Sequence, residues 1–328
     1  MDITMLLLAG AFALSFLLTW VLSRGWLAIT DVPNHRSLHS VPTPRTGGLA
    51  IAGAGIAALL SGVVLGHVDV APVGLLMLIG GWVMLLSLSV LDDIADLSAP
   101  LRLLVHLGAA LLFLWMVELA WWQLGLLVLL MTWCTNLFNF MDGMDGLAGS
   151  MGVVGASTLA VLLWQGDAGN SWLVAAILAA AMAGFLPWNL PPARIFLGDA
   201  GSIPSGFLLA GLAIHAVLEA GIHPALVILP FLTFLVDASC TLVARAWRGE
   251  RIWEAHREHA YQRLCLAGLP VYQVLMLEFA LVCVNAGLAL WLASGVRNEL
   301  IWFVLGLQVA LHVVLYGVIV RRCPRGAV

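Results

Sequence analysis

Apolar runs recur along the whole chain and are separated by short polar segments. Each run holds about 17–22 residues, which is enough for a helix to cross a hydrocarbon core roughly 30 Å thick. Eleven transmembrane helices are predicted on this basis, at 5–23, 47–66, 73–91, 101–119, 122–140, 147–164, 171–189, 201–219, 224–243, 270–293 and 300–320. The pattern therefore predicts an all-α polytopic membrane protein in which residues 1–328 form a single domain.

The arginines indicate how these helices are oriented. With the N-terminus outside, only Arg297 falls on the outer side, and the cytoplasmic segments become 24–46, 92–100, 141–146, 190–200, 244–269 and the tail after 320. Basic residues concentrate on the cytoplasmic side of membrane proteins, so this assignment also places the C-terminus in the cytoplasm. Because Arg24 follows the first run and no basic residue precedes it, we expect a retained helix instead of a cleaved signal peptide.

The composition excludes a soluble protein. Hydrophobic residues make up 62% of the chain and charged residues 10%, against roughly 45–50% and about 25% in soluble domains. The net charge is −4, and we expect membrane lipid, but no nucleic acid, among the partners. The five cysteines form no CxxC pair, so we expect neither a disulfide nor a zinc site.

Acidic residues cluster where predicted helices meet the cytoplasm. Asp92 and Asp93 lie at the inner end of the third span, and Asp96 follows one turn later. Carboxylates this close repel each other unless a divalent cation, or a basic partner such as Arg102, neutralises them. The cluster is therefore either solvated polarity at a helix end or part of a metal site.

A second cluster combines a helix end with two Asp-Gly steps. Asn139 and Asp142 would share one face of a helix, and Asp145 follows in the turn. The glycine after each aspartate favours a turn and lets a ligand approach the backbone. Amide and carboxylate oxygens are hard ligands that suit magnesium. We interpret this cluster as a binding site, with an ordinary Asp-Gly turn as the alternative.

A third acidic position, Asp199, stands just before the eighth span and is flanked by Gly198 and Gly201. Backbone N–H groups at a helix N-terminus bind phosphate, and a carboxylate there could hold a metal that bridges to the phosphate. The alternative is a simple helix-capping aspartate.

Basic residues on two inner segments could bind the anionic parts of a substrate. His256, Arg257 and His259 follow the ninth span, where imidazole groups can meet phosphate or base edges. The alternative is an arginine-rich helix attracted to anionic lipid. On the first inner loop, Arg36 and Arg45 could bind a lipid phosphate, or they could serve only to fix orientation.

Five motifs carry a resemblance to a known family. They are Pro-Thr-Pro-Arg-x-Gly-Gly, Leu-Asp-Asp, Asn-Phe-Met-Asp-Gly-Met-Asp-Gly-Leu-Ala-Gly, Phe-Leu-Gly-Asp-Ala-Gly-Ser and His-Arg-Glu-His-Ala-Tyr-Gln-Arg-Leu, in that order. With these motifs the chain resembles, over nearly its whole length, the polyprenyl-phosphate N-acetylhexosamine-1-phosphate transferases of bacterial glycosyltransferase family 4. The resemblance implies transfer from a UDP-N-acetylhexosamine to undecaprenyl phosphate with release of UMP. It also implies Mg²⁺, or Mn²⁺, as cofactor and an active site on the cytoplasmic face of the bacterial inner membrane.

The resemblance also implies roles for individual positions. The expected catalytic residues are Asp92, Asp93, Asp142, Asp145 and Asp199. The expected metal ligands are Asp199, Asn139, Asp92 and Asp93. The expected nucleotide-sugar contacts are Asn139, Asp142, His256, Arg257 and His259. Arg45 and Arg36 are expected at the lipid phosphate.

One departure from the family pattern bears on the substrate. The branch that makes the first peptidoglycan lipid intermediate carries consecutive histidines before Phe-Glu, whereas this chain has His-Arg-Glu-His. The chain therefore looks more like the branch that initiates O-antigen or related surface glycans. Direct attack by the lipid phosphate and a two-step route through an aspartyl phosphate both remain open, as does a homodimer.

Two other classes fit parts of the pattern. A membrane prenyltransferase also binds magnesium diphosphate through aspartates, and Asp92-Asp93-x-x-Asp96 resembles one such motif. The histidine segment and the absence of a second matching motif count against it. An ion-coupled transporter would place its carboxylates near the bilayer midplane, whereas these lie at one interface.

Overall fold

A computed structural model of the chain describes residues 2–27, 29–31, 41–69, 73–95, 97–251 and 256–323. The helices are α1 Ile3–Leu22, α2 Gly47–Val64, α3 Val73–Ala95, α4 Ala99–Leu114, α5 Trp121–Phe140, α6 Leu147–Gln165, α7 Ser171–Asn189, α8 Asp199–Leu218, α9 Pro224–Ile228, α10 Leu232–Trp247, α11 Ala260–Leu266, α12 Val271–Leu292 and α13 Asn298–Arg322. The all-α polytopic fold predicted from the sequence is confirmed. Arg36 and Asp96 lie outside the described residues.

One predicted span is shorter than expected. Ten helical segments of the described chain are long and apolar enough to cross a membrane. The prediction at 101–119 corresponds to α4, which has 16 residues and thus a length of about 24 Å. That is less than a hydrocarbon core of roughly 30 Å. In place of eleven equivalent spans, the described chain has ten full-length spans and one shorter apolar helix.

The predicted span at 224–243 is an interrupted helix. A 3-10 turn over Leu229–Phe231 separates α9 from α10. Pro230 lies within this turn, and because proline has no amide hydrogen it cannot donate the bond that a continuous α-helix needs. Phe231 packs against α6, where a Cβ added to Gly155 would overlap the ring.

A short β-pair closes the polar loop between α1 and α2. Strands β1 (Thr30–Asp31) and β2 (Thr43–Pro44) pair antiparallel, with Thr30 opposite Pro44. The Arg45 N–H then donates to the Ile29 carbonyl at 3.1 Å. Only the structure reveals this pairing, which holds Arg45 just before the start of α2.

Small residues let the central helix α8 approach its neighbours closely. A Cβ added to Gly48 of α2 would overlap the backbone of Gly201 in α8, and one added to Gly81 of α3 would lie 2.6 Å from the Phe207 ring. The residues of α8 are mostly buried, whereas those of α13 are mostly exposed. The arrangement is a bundle built around α8, with α13 at its edge.

We call one end of the bundle the site end. The helices that begin there are α2, α6, α8 and α12. The helices that end there are α3, α5, α7 and α10. Contacts between helix ends define it. Arg45 pairs with Asp93, Asn139 with Asp199, and Gly146 with Asn189.

Candidate active site

The end of α5 and the start of α8 meet through an amide and a carboxylate. The Asn139 Nδ2 donates to Asp199 Oδ1 at 2.9 Å and to Ser202 Oγ at 2.8 Å. Ser202 Oγ in turn donates to the Gly198 carbonyl at 3.1 Å, within the first turn of α8. Asn139 and Asp199, which are sixty positions apart in sequence, therefore share one polar site.

Backbone hydrogen bonds hold the segment before α8 against the start of α2. The Phe196 N–H donates to the Pro44 carbonyl at 2.7 Å, and the Gly47 N–H donates back to the Phe196 carbonyl at 2.9 Å. Gly198 has a φ of +70°, and a Cβ there would overlap the Arg45 carbonyl oxygen. Only glycine fits this position without strain, because L side chains rarely adopt that conformation and no space is available.

Asp142 faces Asp199 across this segment. It is partly buried, and its carboxylate accepts a hydrogen bond from the Gly198 N–H. Burial raises the pKa of Asp142 well above its usual value; the nearby Asp199 charge adds to this, while the Gly198 hydrogen bond opposes it. A carboxyl in such surroundings tends to hold its proton, or to require a cation beside it.

The paired aspartates at the end of α3 have different partners. Asp93 forms an ion pair with Arg45 at 2.9 Å between Oδ1 and Nη2, and its carboxylate lies near enough to Asp199 for the two charges to repel. Asp92 instead accepts from Arg102 Nη1 at 2.7 Å and from the Leu97 N–H at 2.7 Å. Asp93 therefore faces the Asp199 site, while Asp92 ties the end of α3 to α4.

Asp145 and an asparagine that the sequence reasoning missed hold the loop between α7 and α8. Asp145 Oδ2 accepts from the Ala193 N–H at 2.9 Å. The buried Asn189 accepts from the Gly146 N–H at 3.0 Å and donates to the Ile195 carbonyl at 3.0 Å. Asn189 occupies the last turn of a helix, where the sequence offers no signal that its side chain turns inward.

The histidine segment lies before a short helix and is not helical itself. His256 and His259 precede α11, and their rings lie 4.9 Å apart. Burial, with His259 and Arg245 nearby, lowers the pKa of His256 to about 4. Among the described residues, Arg257 makes no hydrogen bond or ion pair, so its guanidinium is available to a ligand.

Tyr261 connects the histidine segment to the Asp-Gly turn. Its ring stacks on His259 with centroids 5.8 Å apart. Its hydroxyl lies against Gly143, where an added Cβ would overlap it. Burial raises the pKa of Tyr261 well above its usual value, so the group stays a neutral phenol. The predicted nucleotide-sugar residues His259 and Asp142 are thus brought to neighbouring parts of one region.

The arginines near the histidine segment are largely paired with glutamates. Glu258 accepts from Arg245 at 2.8 Å and from Arg248 at 2.7 Å, and Arg263 lies 3.5 Å from the same carboxylate. Arg248 also bonds Glu250 at 2.7 Å. This pairing neutralises much of the positive charge that the alternative of a lipid-attracted helix requires.

The oxygen atoms around Asp199 suit a hard cation. No group of three His, Cys, Asp or Glu side chains in the described chain is arranged as a ready-made metal site. Magnesium, however, is usually held by one or two carboxylates with substrate phosphates and water, and not by an all-protein cage. Asp199 and Asp93 fit that requirement, and the amide of Asn139 would fit it with its oxygen, in place of its nitrogen, turned to Asp199. Asp92 is engaged by Arg102 and the Leu97 N–H.

An apolar cavity of about 370 Å³ lies beside this region, between α5, α8 and the interrupted helix α9–α10. Phe138 and Gly206 line it nearest the site end, and Leu218 and Pro224 line it at the opposite end. Gly206 is seven residues from Asp199, which corresponds to about 10 Å along a helix. The cavity therefore follows the helices from near the polar site toward the far side of the bundle.

Comparisons with known proteins match the part of the chain that supplies most of these residues. The model of the family described as glycosyl transferase family 4 matches residues 75–217, which include the paired aspartates, the Asp-Gly turn and Asp199. A Bacillus subtilis protein named "Probable undecaprenyl-phosphate N-acetylglucosaminyl 1-phosphate transferase" is 27% identical over 261 residues, or 74% of this chain and 71% of that protein.

Two further relatives are phospho-N-acetylmuramoyl-pentapeptide-transferases. The one from Staphylococcus epidermidis is 26% identical over 199 residues, or 60% of this chain and 57% of that protein. The one from Shouchella clausii is 35% identical over 102 residues, or 31% of each. Taken with the family model, these matches confirm the resemblance found in the motifs. Over residues 75–217 the chain is similar to glycosyl transferase family 4, and the names of its relatives indicate a membrane enzyme of the polyprenyl-phosphate sugar-1-phosphate transferase type.

Proposed function

We propose that the protein transfers N-acetylhexosamine-1-phosphate from a UDP-linked amino sugar to undecaprenyl phosphate, releasing UMP. The reaction would take place on the cytoplasmic face of the bacterial inner membrane and initiate O-antigen or a related surface polysaccharide. The observation that carries this proposal is the meeting of Asp93, Asn139, Asp142 and Asp199 at one end of the bundle, next to an apolar cavity. The charged donor needs the polar groups of this site, and the lipid acceptor needs the apolar cavity beside them.

The donor assignment rests on relatives and on one motif. The Bacillus subtilis relative is named for N-acetylglucosaminyl 1-phosphate, which supports an N-acetylhexosamine donor for this chain. Other relatives are named for the muramoyl-pentapeptide substrate. The His-Arg-Glu-His sequence at 256–259 departs from the consecutive histidines of that branch, so we favour the amino-sugar donor.

Mg²⁺, or Mn²⁺, is the proposed cofactor, held by Asp199 with Asp93 and the Asn139 amide oxygen. When bound, the metal supplies positive charge for the diphosphate. The asparagine amide would have to present its oxygen, which requires rotation of a group whose nitrogen now donates to Asp199. Asp92, which is held by Arg102, would contribute by positioning Asp93.

The proposed reaction is in-line attack by a lipid phosphate oxygen on the β-phosphorus, with UMP as leaving group. The oxygen–phosphorus bond to the lipid forms as the bond to UMP breaks. A phosphomonoester with a second pKa near 6 is mostly ionised at neutral pH, so a general base has little to contribute. Catalysis then depends on position and charge. A protonated Asp142 can donate a hydrogen bond to the diphosphate without repelling it.

Arginines and the apolar cavity are the proposed acceptor site. The Arg45 side chain is 37% exposed although it pairs with Asp93, so part of its guanidinium can meet the lipid phosphate. Arg36 is proposed for the same role. The cavity between α5, α8 and α9–α10 would hold part of the polyprenyl chain, because its wall is almost entirely apolar.

The test is release of UMP from purified protein supplied with UDP-N-acetylglucosamine, undecaprenyl phosphate and Mg²⁺. We expect Asp199→Asn to abolish release, because it removes the charge nearest the Asn139 amide. Asp167→Asn is the matched control: Asp167 lies exposed in the loop between α6 and α7, away from the site end, with a φ of 52° that asparagine also tolerates. Release of inorganic diphosphate from a prenyl donor would favour a prenyltransferase, and normal turnover by Asp199→Asn would remove that residue from the site.

A further inference from the structure

Asp237 is a buried acidic residue in the second half of the interrupted helix. It lies in α10 and is 6% exposed. A carboxylate inside a membrane-spanning segment is costly unless it is satisfied by specific partners. Its partners, and not its sequence context, indicate what it does.

Asp237 is hydrogen-bonded from three directions. Both carboxylate oxygens accept from the Ala260 N–H, at 3.0 and 2.9 Å. Oδ1 also accepts from Thr241 Oγ1 at 3.1 Å and lies 3.3 Å from Nδ1 of His259. The carboxylate therefore fixes the first residue of α11 and the imidazole just before it.

The contact between Asp237 and His259 selects one tautomer. An ionised carboxylate only accepts hydrogen bonds, so Nδ1 of His259 must carry the hydrogen in that contact. When the ring carries only this one hydrogen, its Nε2 is bare. His259 is 2% exposed, and within the described chain no hydrogen-bond partner is found for its Nε2. A carboxylate that holds one ring nitrogen and leaves the other for a ligand is a recurrent way to orient an imidazole.

The oriented ring lies next to the other proposed nucleotide-sugar residues. His256 is its neighbour at 4.9 Å between centroids. Tyr261 stacks on the His259 ring and reaches Gly143, the residue after Asp142. A change in the tautomer or orientation of the His259 ring would thus alter the region where the donor is proposed to bind.

We propose that Asp237 is a positioning residue for His259, holding its imidazole as the Nδ1–H tautomer so that Nε2 faces the nucleotide-sugar site. This inference deepens the proposed function and rests on it for its link to turnover. The tautomer itself can be measured without any reaction. Asp237→Asn keeps the shape but presents an amide N–H, which can face Nδ1 and select the opposite tautomer.

The first measurement is ¹⁵N NMR of histidine-labelled protein in detergent, with the His259 signals assigned from the His259→Gln spectrum. We expect a protonated Nδ1 and an unprotonated Nε2 in the wild type, and a protonated Nε2 in Asp237→Asn. Thr241→Val removes another bond to the same carboxylate but keeps its charge, and it should retain the Nδ1–H form. Identical His259 signals in wild type and Asp237→Asn would overturn the proposal.

The second measurement is a double-mutant cycle on UMP release. We expect Asp237→Asn to lower kcat by about 100-fold or more, and to have little further effect in a His259→Gln background, since the two residues act as one unit. An equal loss in both backgrounds would show a purely structural role and overturn the proposal. If the wild type releases no UMP from any UDP-amino sugar, the proposed function fails, and the NMR result alone decides the role of Asp237.

Discussion

Gly48→Ala tests whether the distance between α2 and α8 sets the geometry of the proposed site. The added Cβ would overlap the backbone nitrogen and Cα of Gly201 and the carbonyl carbon of Ala200. These are backbone atoms of a buried helix, so no rotamer change can relieve the overlap. The two helices have to move apart.

The size of the movement follows from the contact distances. Ordinary contact for a Cβ begins near 3.4 Å, so α2 and α8 have to move apart by about 1 Å to relieve the overlap. Misplacing a catalytic group by about 1 Å lowers the rate by about 100-fold. Asp199 starts α8, while Arg45 precedes α2 and pairs with Asp93. The movement therefore separates Asp199 from Arg45, the ion-pair partner of Asp93. Overpacking of this kind also destabilises a protein by about 1–3 kcal/mol.

UMP release and thermal stability in detergent are the two readouts. We expect Gly48→Ala to lose about 100-fold in kcat while remaining folded. The matched control is Gly53→Ala on the same helix, where the nearest atom to an added Cβ is a Leu18 methyl at 3.4 Å, so turnover should stay at the wild-type level. If Gly48→Ala turns over as fast as Gly53→Ala, close contact between α2 and α8 does not control the site, and the reasoning is refuted.

Three further predictions follow from single contacts. Because the folded state raises the pKa of Asp142, the wild type loses stability as pH rises from about 4 through the folded pKa. With EDTA present, Asp142→Asn should therefore melt at a higher temperature than the wild type, and the difference should be larger at pH 8 than at pH 5. An equal difference at both pH values would contradict the raised pKa of Asp142 as its cause. Asn189→Ala leaves the Gly146 N–H and the Ile195 carbonyl unpaired, so the free energy of unfolding should fall by about 2–6 kcal/mol. A fall of less than about 1 kcal/mol would show that water replaces both hydrogen bonds. Ala213→Phe narrows the apolar cavity and should raise the KM for undecaprenyl phosphate much more than for a short-chain prenyl phosphate, whereas equal effects would place the chain elsewhere.

The sequence by itself was enough to predict the fold class and the family. Long apolar runs determine membrane helices directly, since every backbone group in hydrocarbon must be satisfied within the segment. The motifs identified the family because they place acidic, amide and glycine residues at fixed spacing. The prediction was less accurate for α4, where 101–119 reads as a full span but the helix ends at Leu114, and for 224–243, where Pro230 interrupts the helix.

Partner choice among charged residues depended on tertiary structure. Asp92 and Asp93 are adjacent and look equivalent in sequence, yet Asp92 pairs with Arg102 of α4 and Asp93 with Arg45 before α2. Successive residues on a helix point about 100° apart, so they meet different neighbours. Which neighbours are present depends on how the helices pack, and the residues of one helix do not determine that packing by themselves.

The hydrogen-bond partners of Asp237 and Asn189, which lie outside the motifs, also could not be predicted from the sequence. Each lies within an apolar run, where a single polar residue gives no indication of its partner. The partner of Asp237 is a backbone N–H twenty-three positions later, and Asn189 bonds a glycine forty-three positions earlier. The sequence alone determined that these helices cross a membrane and which chemical groups lie at their ends, because hydrophobicity and residue type are local properties. Only the tertiary structure decided which of those groups touch, because a hydrogen bond depends on the distance between atoms that the chain brings together from far apart.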